Sequence, residues 1–255
     1  MTRRPRRART ALAAALTAAL LPLAGCGHSG GTPHPAPLTG QQAESLALTR
    51  FTNYRAGSAH VTATVPLPGS RVVLDARLDW RAHTGYGLLR DATPGTARHW
   101  QHLLRWNRTT VAAHFDWPGP APAQPPTGGW SPERPLDPDT STVDTALALL
   151  LGLAADRPDN AQLLARSGAA RIGAATVGGR PVTEYAGPAA PGTPAPSAPG
   201  TPSPAPGGHT RYWIDAAGLL RRFSAELPGS PDWMTADLTA PYPGPAPAGP
   251  PAATP

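Results

Sequence analysis

The chain contains a single cysteine and no lysine among its 255 residues. One cysteine cannot form a disulfide within the chain, so the stability of an exported domain must come from a packed core. Aromatic residues account for only 6% of the sequence, while glycine and proline number 27 and 35. We therefore expect many turns and irregular stretches around a core that about 200 residues can supply.

The excess of positive charge lies at the start of the chain. The formal net charge is +6, and all 22 basic residues are arginine. Five of them fall within the first 25 residues, which contain no acidic residue, and the rest of the chain has 17 arginines against 16 acidic residues. This balance argues against nucleic acid as a partner.

The first 26 residues combine a cationic start, an apolar run and small residues before the cysteine. Arginines occupy positions 3, 4, 6, 7 and 9, and the apolar run from Ala11 to Leu23 is too short to span a bilayer. The segment Leu23-Ala24-Gly25-Cys26 resembles the lipobox of bacterial lipoproteins, in which the cysteine thiol takes a diacylglycerol. We predict a signal peptide over residues 1–25 and a membrane anchor through lipidated Cys26. The alternative is an ordinary buried cysteine after a secretory signal.

Composition divides the rest of the chain. Residues 26–40 are rich in Gly, Ser, Pro, Thr and His and predict a flexible tether. Residues 41–240 predict a single domain with Pro-rich inserts at 118–138 and 187–208, and residues 241–255 predict a disordered tail.

Hydrophobic periodicity predicts the elements of that domain. Apolar residues at spacings of three and four predict a helix over 41–54, and alternation over 61–67 and 71–81 predicts strands with one face on a core and one in water. Ser141 and Asp144 match a capping box before an unusually apolar helix, and Asp156 is the predicted cap of a second helix that ends at Gly168. The further strands are predicted at 84–91, 99–107, 109–117, 170–177, 181–185, 210–215, 219–227 and 233–239.

Two strand segments carry a family resemblance. Residues 176–185 read TVGGRPVTEY and residues 211–222 read RYWIDAAGLLRR. Both resemble the C-terminal strands of actinobacterial LppX/LprG-like lipoproteins, whose fold is similar to the lipoprotein carrier LolA. The resemblance implies an α+β fold in which a curved antiparallel sheet, an open half-barrel, is covered on its concave face by helices. It also implies a space for acyl chains between the two layers.

The apolar helix and the alternating strands supply the candidate residues for such a ligand cavity. An apolar face on each side of a gap either packs dry or holds a lipid. The positions that we assign to the cavity are Leu78, Trp80, Leu104, Trp106, Val143, Leu147 and Leu150. The alternative is that all seven are simply core.

No pattern in the sequence supports covalent chemistry. His99, His102 and His114 suggest a metal site, but residues three apart on a strand point to opposite faces, so His99 and His102 do not converge. We find no nucleophile elbow, zinc-protease pattern or SxxK motif. The sequence therefore predicts no catalytic residue, no metal and no cofactor.

Together these features predict a lipoprotein on the outer face of the cytoplasmic membrane, and the arginine-rich composition is typical of GC-rich actinobacteria. Its predicted function is to bind or carry a lipid or other apolar ligand non-covalently. The alternative is a regulatory or envelope-assembly lipoprotein, as in RseB-like sensors, with a dry core and an exposed apolar or aromatic patch for a protein partner. An enzyme is a third possibility, for which the sequence offers no constellation of residues.

Overall fold

The computed structural model describes residues 35–97, 100–189, 208–230 and 232–242. Within these ranges three helices accompany one sheet of 12 strands. The elements in chain order are β1 (Ala36–Pro37), α1 (Gly40–Ala56), β2 (Ser58–Leu67), β3 (Ser70–Asp79), β4 (Thr84–Asp91), β5 (Gln101–Trp106), β6 (Thr110–His114), β7 (Arg134–Pro135), α2 (Thr142–Gly152), α3 (Ala161–Arg166), β8 (Ala170–Val177), β9 (Arg180–Ala186), β10 (Thr210–Asp215), β11 (Leu220–Glu226) and β12 (Trp233–Thr239).

The sheet is open and every strand pair in it is antiparallel. The strand order is β1-β8-β9-β10-β11-β12-β2-β3-β4-β5-β6-β7. The strands before the helical pair and those after it therefore form two meanders, which join where β12 pairs with β2 in the register Leu238↔Val61. The predicted fold class, an open antiparallel sheet covered by helices, is confirmed.

Strict alternation in β2 and β3 decides which face of the sheet is buried. In β3 the side chains of Val72, Leu74, Ala76 and Leu78 are at most 2% exposed and belong to the main core. The cross-strand partners in β2 continue the same face, as in the pair Ala63↔Leu74. Because successive side chains of a strand point to opposite faces, this one surface forms the floor on which the helices pack.

Helix α1 begins at a complete capping box. The Thr39 hydroxyl accepts a hydrogen bond from the Gln42 N–H, and the Gln42 side chain accepts one from the Thr39 N–H. Gly57 ends the helix with φ of +83°, a backbone conformation that residues other than glycine rarely adopt. The predicted tether is wrong in its last residues, since Ala36–Pro37 pairs with β8 and Thr39 caps this helix.

Helix α2 begins at Ser141 as predicted, but only half of the predicted capping box forms. The Asp144 N–H donates to the Ser141 hydroxyl, whereas the Asp144 carboxylate binds Arg134 and the N–H of Asp137. The guanidinium is a stronger partner for a carboxylate than the N–H at the cap.

The predicted cap of helix α3 is wrong. The side-chain oxygen Oδ1 of Asn160, not Asp156, accepts hydrogen bonds from the N–H groups of Gln162 and Leu163. The chain from Asp156 to Asp159 is not helical, so Pro158 precedes the helix and does not lie in its first turn.

The opposite face of the sheet is also covered over part of its area. We call residues 118–133 the Pro-rich strap; it contains no helix or strand. Tyr86, Leu88 and Leu103 are buried beneath it, and the half-buried Trp117 and the strap's own Trp130 pack against them. In β4 and β5, adjacent leucines place an apolar side chain on each face, so these strands are buried on both sides.

Gly85 permits a close contact between strands β4 and β5. The Trp106 indole lies across Gly85 of β4, where a Cβ atom would come within 2.2 Å of the ring. This absence of a side chain lets an aromatic ring lie flat against the neighbouring strand.

The predicted signal peptide, the lipobox with Cys26 and most of the predicted insert at 187–208 lie outside the described residues. Within the described ranges, no helix has the length and apolar character needed to cross a bilayer.

Candidate functional site

Six of the seven residues predicted to line a cavity belong to the main core, and the seventh, Val143, packs against it. Leu78, Trp80, Trp106, Leu147 and Leu150 are at most 1% exposed. Each indole N–H donates to a carbonyl oxygen of α2, from Trp80 to Leu150 and from Trp106 to Leu147, both at 3.3 Å. Burial of an indole requires such a partner, so these two bonds fix the helix on the sheet.

Leu104, Val143 and Leu147 line a smaller cavity of about 470 Å³ beside the N-terminal turn of α2. The cavity also includes Phe115 and His102 in its wall. The assignment of all seven positions to one ligand cavity remains a prediction.

A larger groove lies on the other side of α2, with a volume of about 600 Å³. It is bounded by α1, α2 and α3 and by the strands β10 and β11. None of the seven predicted residues lies in its wall. Its lining residues are Leu46, Thr49, Arg50, Pro138, Thr145, Ala148, Leu149, Gly152, Leu153, Asp159, Asn160, Leu163, Leu164, Pro188, Thr210, Tyr212, Leu220 and Phe223.

One ion pair supplies the charged groups in the wall of the groove. Arg50 contacts the Asp159 carboxylate at 3.0 Å and donates through Nε to the Gly152 carbonyl at 2.9 Å. The two side chains are 40% and 34% exposed, which places them at the boundary with solvent. Burial raises the pKa of the Tyr212 phenol, so this side chain is neutral at neutral pH. The deeper wall is therefore uncharged.

Helix α3 covers the groove and packs against the core only through its half-buried Leu164. None of its residues is buried, and Leu163 is 66% exposed. Hydrogen bonds just outside the helix hold it, from the Asp159 N–H to the Ala47 carbonyl and from the Ala189 N–H to the Ser167 carbonyl. A short element held mainly at its ends is the part of this site that moves most easily.

Asn53 joins the three elements that meet at the base of the groove. Its side chain is fully buried, donates to the Leu153 carbonyl at 2.8 Å and accepts from the Leu220 N–H at 3.3 Å. A buried amide with both functions satisfied fixes the spacing between α1, the end of α2 and β11. The sequence analysis did not identify Asn53. The only sign of it in the sequence is a polar residue at a position where an amphipathic helix would bury an apolar one.

The histidines considered as metal ligands do not converge in the described part of the chain. His102 accepts a hydrogen bond from the Asp116 N–H, while His114, the partner of Leu103 across the strands, lies on the opposite face of the sheet. His99 lies outside the described residues. A search of the described residues finds no group of three or more potential metal ligands.

Comparisons with known proteins give little beyond this geometry. No family model matches the chain, and no curated protein matches it significantly. Among solved structures, the chain is similar to an outer membrane lipoprotein-sorting protein domain from Vibrio parahaemolyticus, with 8% identity and a TM-score of 0.25, over 80% of this chain and 92% of that one. It is also similar to a LolA superfamily protein from Nitrosomonas europaea, with 10% identity and a TM-score of 0.23, over 79% and 92% of the two chains. Likeness at this level carries no argument, and the fold class rests on the sheet itself.

Proposed function

We propose that this chain is an extracytoplasmic lipoprotein that binds a lipid or other apolar ligand without covalent chemistry. Its anchor is the acylated Cys26, and its place is the outer face of the cytoplasmic membrane. The same proposal includes membership of the actinobacterial LppX/LprG-like lipoproteins, which rests on the resemblance of residues 176–185 and 211–222.

The observation that carries the proposal is the apolar groove between the helices and the sheet. Its volume of about 600 Å³ lies within the range of roughly 300–1,000 Å³ that is typical of small-molecule sites. Leu149, Leu164 and Phe223 offer apolar surface from three different elements. Burial of an acyl chain against such walls contributes about 25 cal/mol per Å² of apolar surface removed from water.

The mechanism is passive uptake and release. The Arg50–Asp159 pair keeps two charges at the solvent boundary, where an ion pair costs little, and leaves the interior uncharged. Displacement of α3 opens the groove, because this helix has no fully buried residue and only half-buried Leu164 packs against the core. No catalytic step is part of the proposal.

The first experiment uses Cys26→Ser protein, exported without its anchor and purified gently. Extraction with organic solvent followed by mass spectrometry should reveal a lipid at about one molecule per chain. Absence of lipid in the extract, together with a thermal melt that added lipids do not shift, would contradict the proposal.

A variant that fills the groove locates the binding site. Ala148 lines the groove, so Ala148→Phe should weaken binding of dansyl-undecanoic acid at least about tenfold, or roughly 1.4 kcal/mol. Ala82→Phe, which adds the same volume at an exposed turn, is the matched control and should bind the probe like the parent. Equal affinities for all three proteins would place the probe elsewhere.

A protein partner is the second candidate function, and an exposed aromatic patch favours it. Phe115 is 58% exposed and Trp100 is 37% exposed, and the His102 ring lies between them at centroid distances of 5.0 and 4.7 Å. Exposed aromatic surface of this kind is typical of interaction sites. If this function holds, Phe115→Ser should lose crosslinks to an envelope protein while the extraction experiment yields no lipid.

A further inference from the structure

A third cavity lies on the sheet face opposite the helices, and its wall is polar. It has a volume of about 570 Å³ between strands β2 to β5 and the Pro-rich strap. The strap contributes Gly119, Pro120 and Ala121 to it, and Tyr242 closes one side. We call this cavity the strap cleft. Since the sheet separates the two cavities, it is independent of the apolar groove.

Arg77 places a fixed positive charge in the strap cleft. Its side chain is only 8% exposed, and the two terminal nitrogens donate to the carbonyls of Pro122 and Ala123 at 2.6 and 2.8 Å. The guanidinium also lies over the rings of Tyr86 and Tyr242, at 5.5 and 5.8 Å from their centroids. These contacts hold the charge in one position, so no rotamer freedom is lost when a ligand binds beside it.

Arg90 supplies a second positive charge. Its side chain is exposed in the wall of the cleft and forms no hydrogen bond or ion pair among the residues that the structure describes, although its charge acts on Asp75. An arginine presents five N–H donors in a planar fork, which matches the oxygens of a phosphate or carboxylate group. The donors of Arg90 are therefore open to a ligand, whereas two of those of Arg77 hold the strap.

Asp75 is the acidic residue in the wall, and it does not cancel both cations. A hydrogen bond of 3.0 Å to His60 lowers the pKa of its carboxyl, partial burial opposes this, and the charges of His60, Arg90 and Arg77 lower the pKa further. The carboxylate is thus ionised at neutral pH, and one negative charge faces two positive ones. The cleft keeps a positive balance that favours an anion.

Tyr86 adds a hydrogen-bond donor that the protein itself leaves unsatisfied. The residue lines the cleft and is fully buried, and its hydroxyl has no partner among the described residues. Burial raises the pKa of this phenol to about 12, although the charge of Arg77 opposes the shift. The hydroxyl therefore stays protonated, and a ligand that accepted its hydrogen bond would satisfy a buried donor that the protein leaves unpaired.

We propose that the strap cleft binds a small soluble molecule that carries a phosphate or carboxylate group. Arg90 forms the ion pair with that group, and Arg77 contributes fixed positive charge beside it. The aromatic rings of Tyr86 and Tyr242 bound the remainder of the ligand.

The test is a calorimetric titration of the Cys26→Ser protein with inorganic phosphate and, separately, with succinate. At least one of the two should bind, and Arg90→Gln should raise its Kd at least tenfold. Arg180→Gln removes the same charge from an exposed strand position that has no ion pair in the described structure, and it should change Kd less than twofold. No measurable binding of either anion, or an equal loss in both variants, would overturn the proposal.

Two further measurements separate a built site from non-specific charge. In ¹H–¹⁵N spectra the bound anion should shift the amides of Asp75, Arg90 and Gln101 and leave those of helix α3 unchanged; shifts spread over the whole surface would overturn the site. Vesicles containing phosphatidylglycerol should not bind through Arg90. If Arg90→Gln abolished vesicle binding while the soluble anions failed to bind, the ligand would be a lipid headgroup and the soluble molecule would be wrong.

Discussion

The two sides of helix α2 differ although both are apolar. One side places Leu147 and Leu150 against Trp80 and Trp106, where every side chain is at most 1% exposed. The other side presents smaller or half-buried residues such as Ala148, Leu149 and Gly152 to a groove of about 600 Å³. A uniformly apolar helix is thus fully buried where it packs against large aromatic rings, and it borders a groove where its neighbours are a short helix and two strands. The size of the opposing side chains, and not their hydrophobicity, distinguishes a core from a binding groove.

Truncation of adjacent leucines on α2 should give the largest difference between the two sides. Leu150→Ala removes a fully buried side chain and should lower the free energy of unfolding by about 3–5 kcal/mol. Leu149→Ala, one residue earlier on the groove side, should cost less than about 1.5 kcal/mol because the side chain is only half-buried and borders open space. Urea unfolding followed by circular dichroism measures both. Equal losses for the two variants would mean that the groove is packed in solution.

The buried carboxylate of Asp144 holds the start of α2, and it therefore positions the helix between the packed core on one side and the groove on the other. Asp144 is fully buried and accepts two hydrogen bonds from Arg134, at 2.5 and 2.9 Å, and one from the Asp137 N–H at 2.9 Å. Burial alone would raise the pKa of this carboxyl, but these bonds outweigh it and hold the pKa below its usual range. Asp144→Asn should therefore cost about 2–3 kcal/mol at neutral pH.

The pH dependence of this loss follows from the sign of the shift. A lowered pKa in the folded state gives stability that is fully present above the unfolded pKa of about 4 and is lost as the pH falls through the folded value. The difference between parent and Asp144→Asn should consequently shrink below about pH 4. Asp139→Asn in the preceding turn, with an exposed side chain, is the matched control and should leave the curve unchanged. A difference that stays constant from pH 7 to pH 2 would contradict the role of the charge.

Two glycine-to-alanine substitutions compare a tightly packed position with an open one by adding a single methyl group to each. Gly85→Ala would bring a Cβ to 2.2 Å from the Trp106 ring and should cost about 1–3 kcal/mol. Gly152→Ala at the end of α2 meets nothing within 4 Å, and it should be neutral or stabilising by up to about 1 kcal/mol. Thermal unfolding of both variants decides the point. A stable Gly85→Ala protein would show that Trp106 moves easily, and the packed core would then be less rigid than its burial indicates.

Elements with a strong local pattern could be predicted from the sequence. The alternation of β3 placed both ends of that strand within two residues, and the capping serine placed the start of α2. Strands β4, β8, β10 and β12 were predicted with the bounds that the structure shows. Local propensity is sufficient there because the burial pattern and the chemistry of the ends agree. The two-residue strands β1 and β7 escaped, since so short a segment has no period.

Features that depend on distant partners could not be predicted. Asp156 and Asn160 are both good caps, and the docking of Asp159 on α1 decides between them. The larger open groove lies beside Leu149, whereas Trp80 and Trp106, two of the residues predicted to line a cavity, fill the space on their own side of the helix. Which side of a helix is filled depends on residues far away in sequence, and periodicity contains no such information.

The pairing of β12 with β2 has a consequence for how the molecule is made. Strands from near the two ends of the domain meet in the middle of the sheet, so residues about 170 positions apart must find each other. Contacts of such long range slow folding, and partly folded chains expose strand edges to one another. Until Trp233–Thr239 is in place, β2 and β11 each have one unpaired edge. Loss of β12 would leave two unpaired strand edges, on β2 and β11, that can pair with other chains. Truncation before β12 should therefore lead to aggregation and degradation instead of a smaller folded protein.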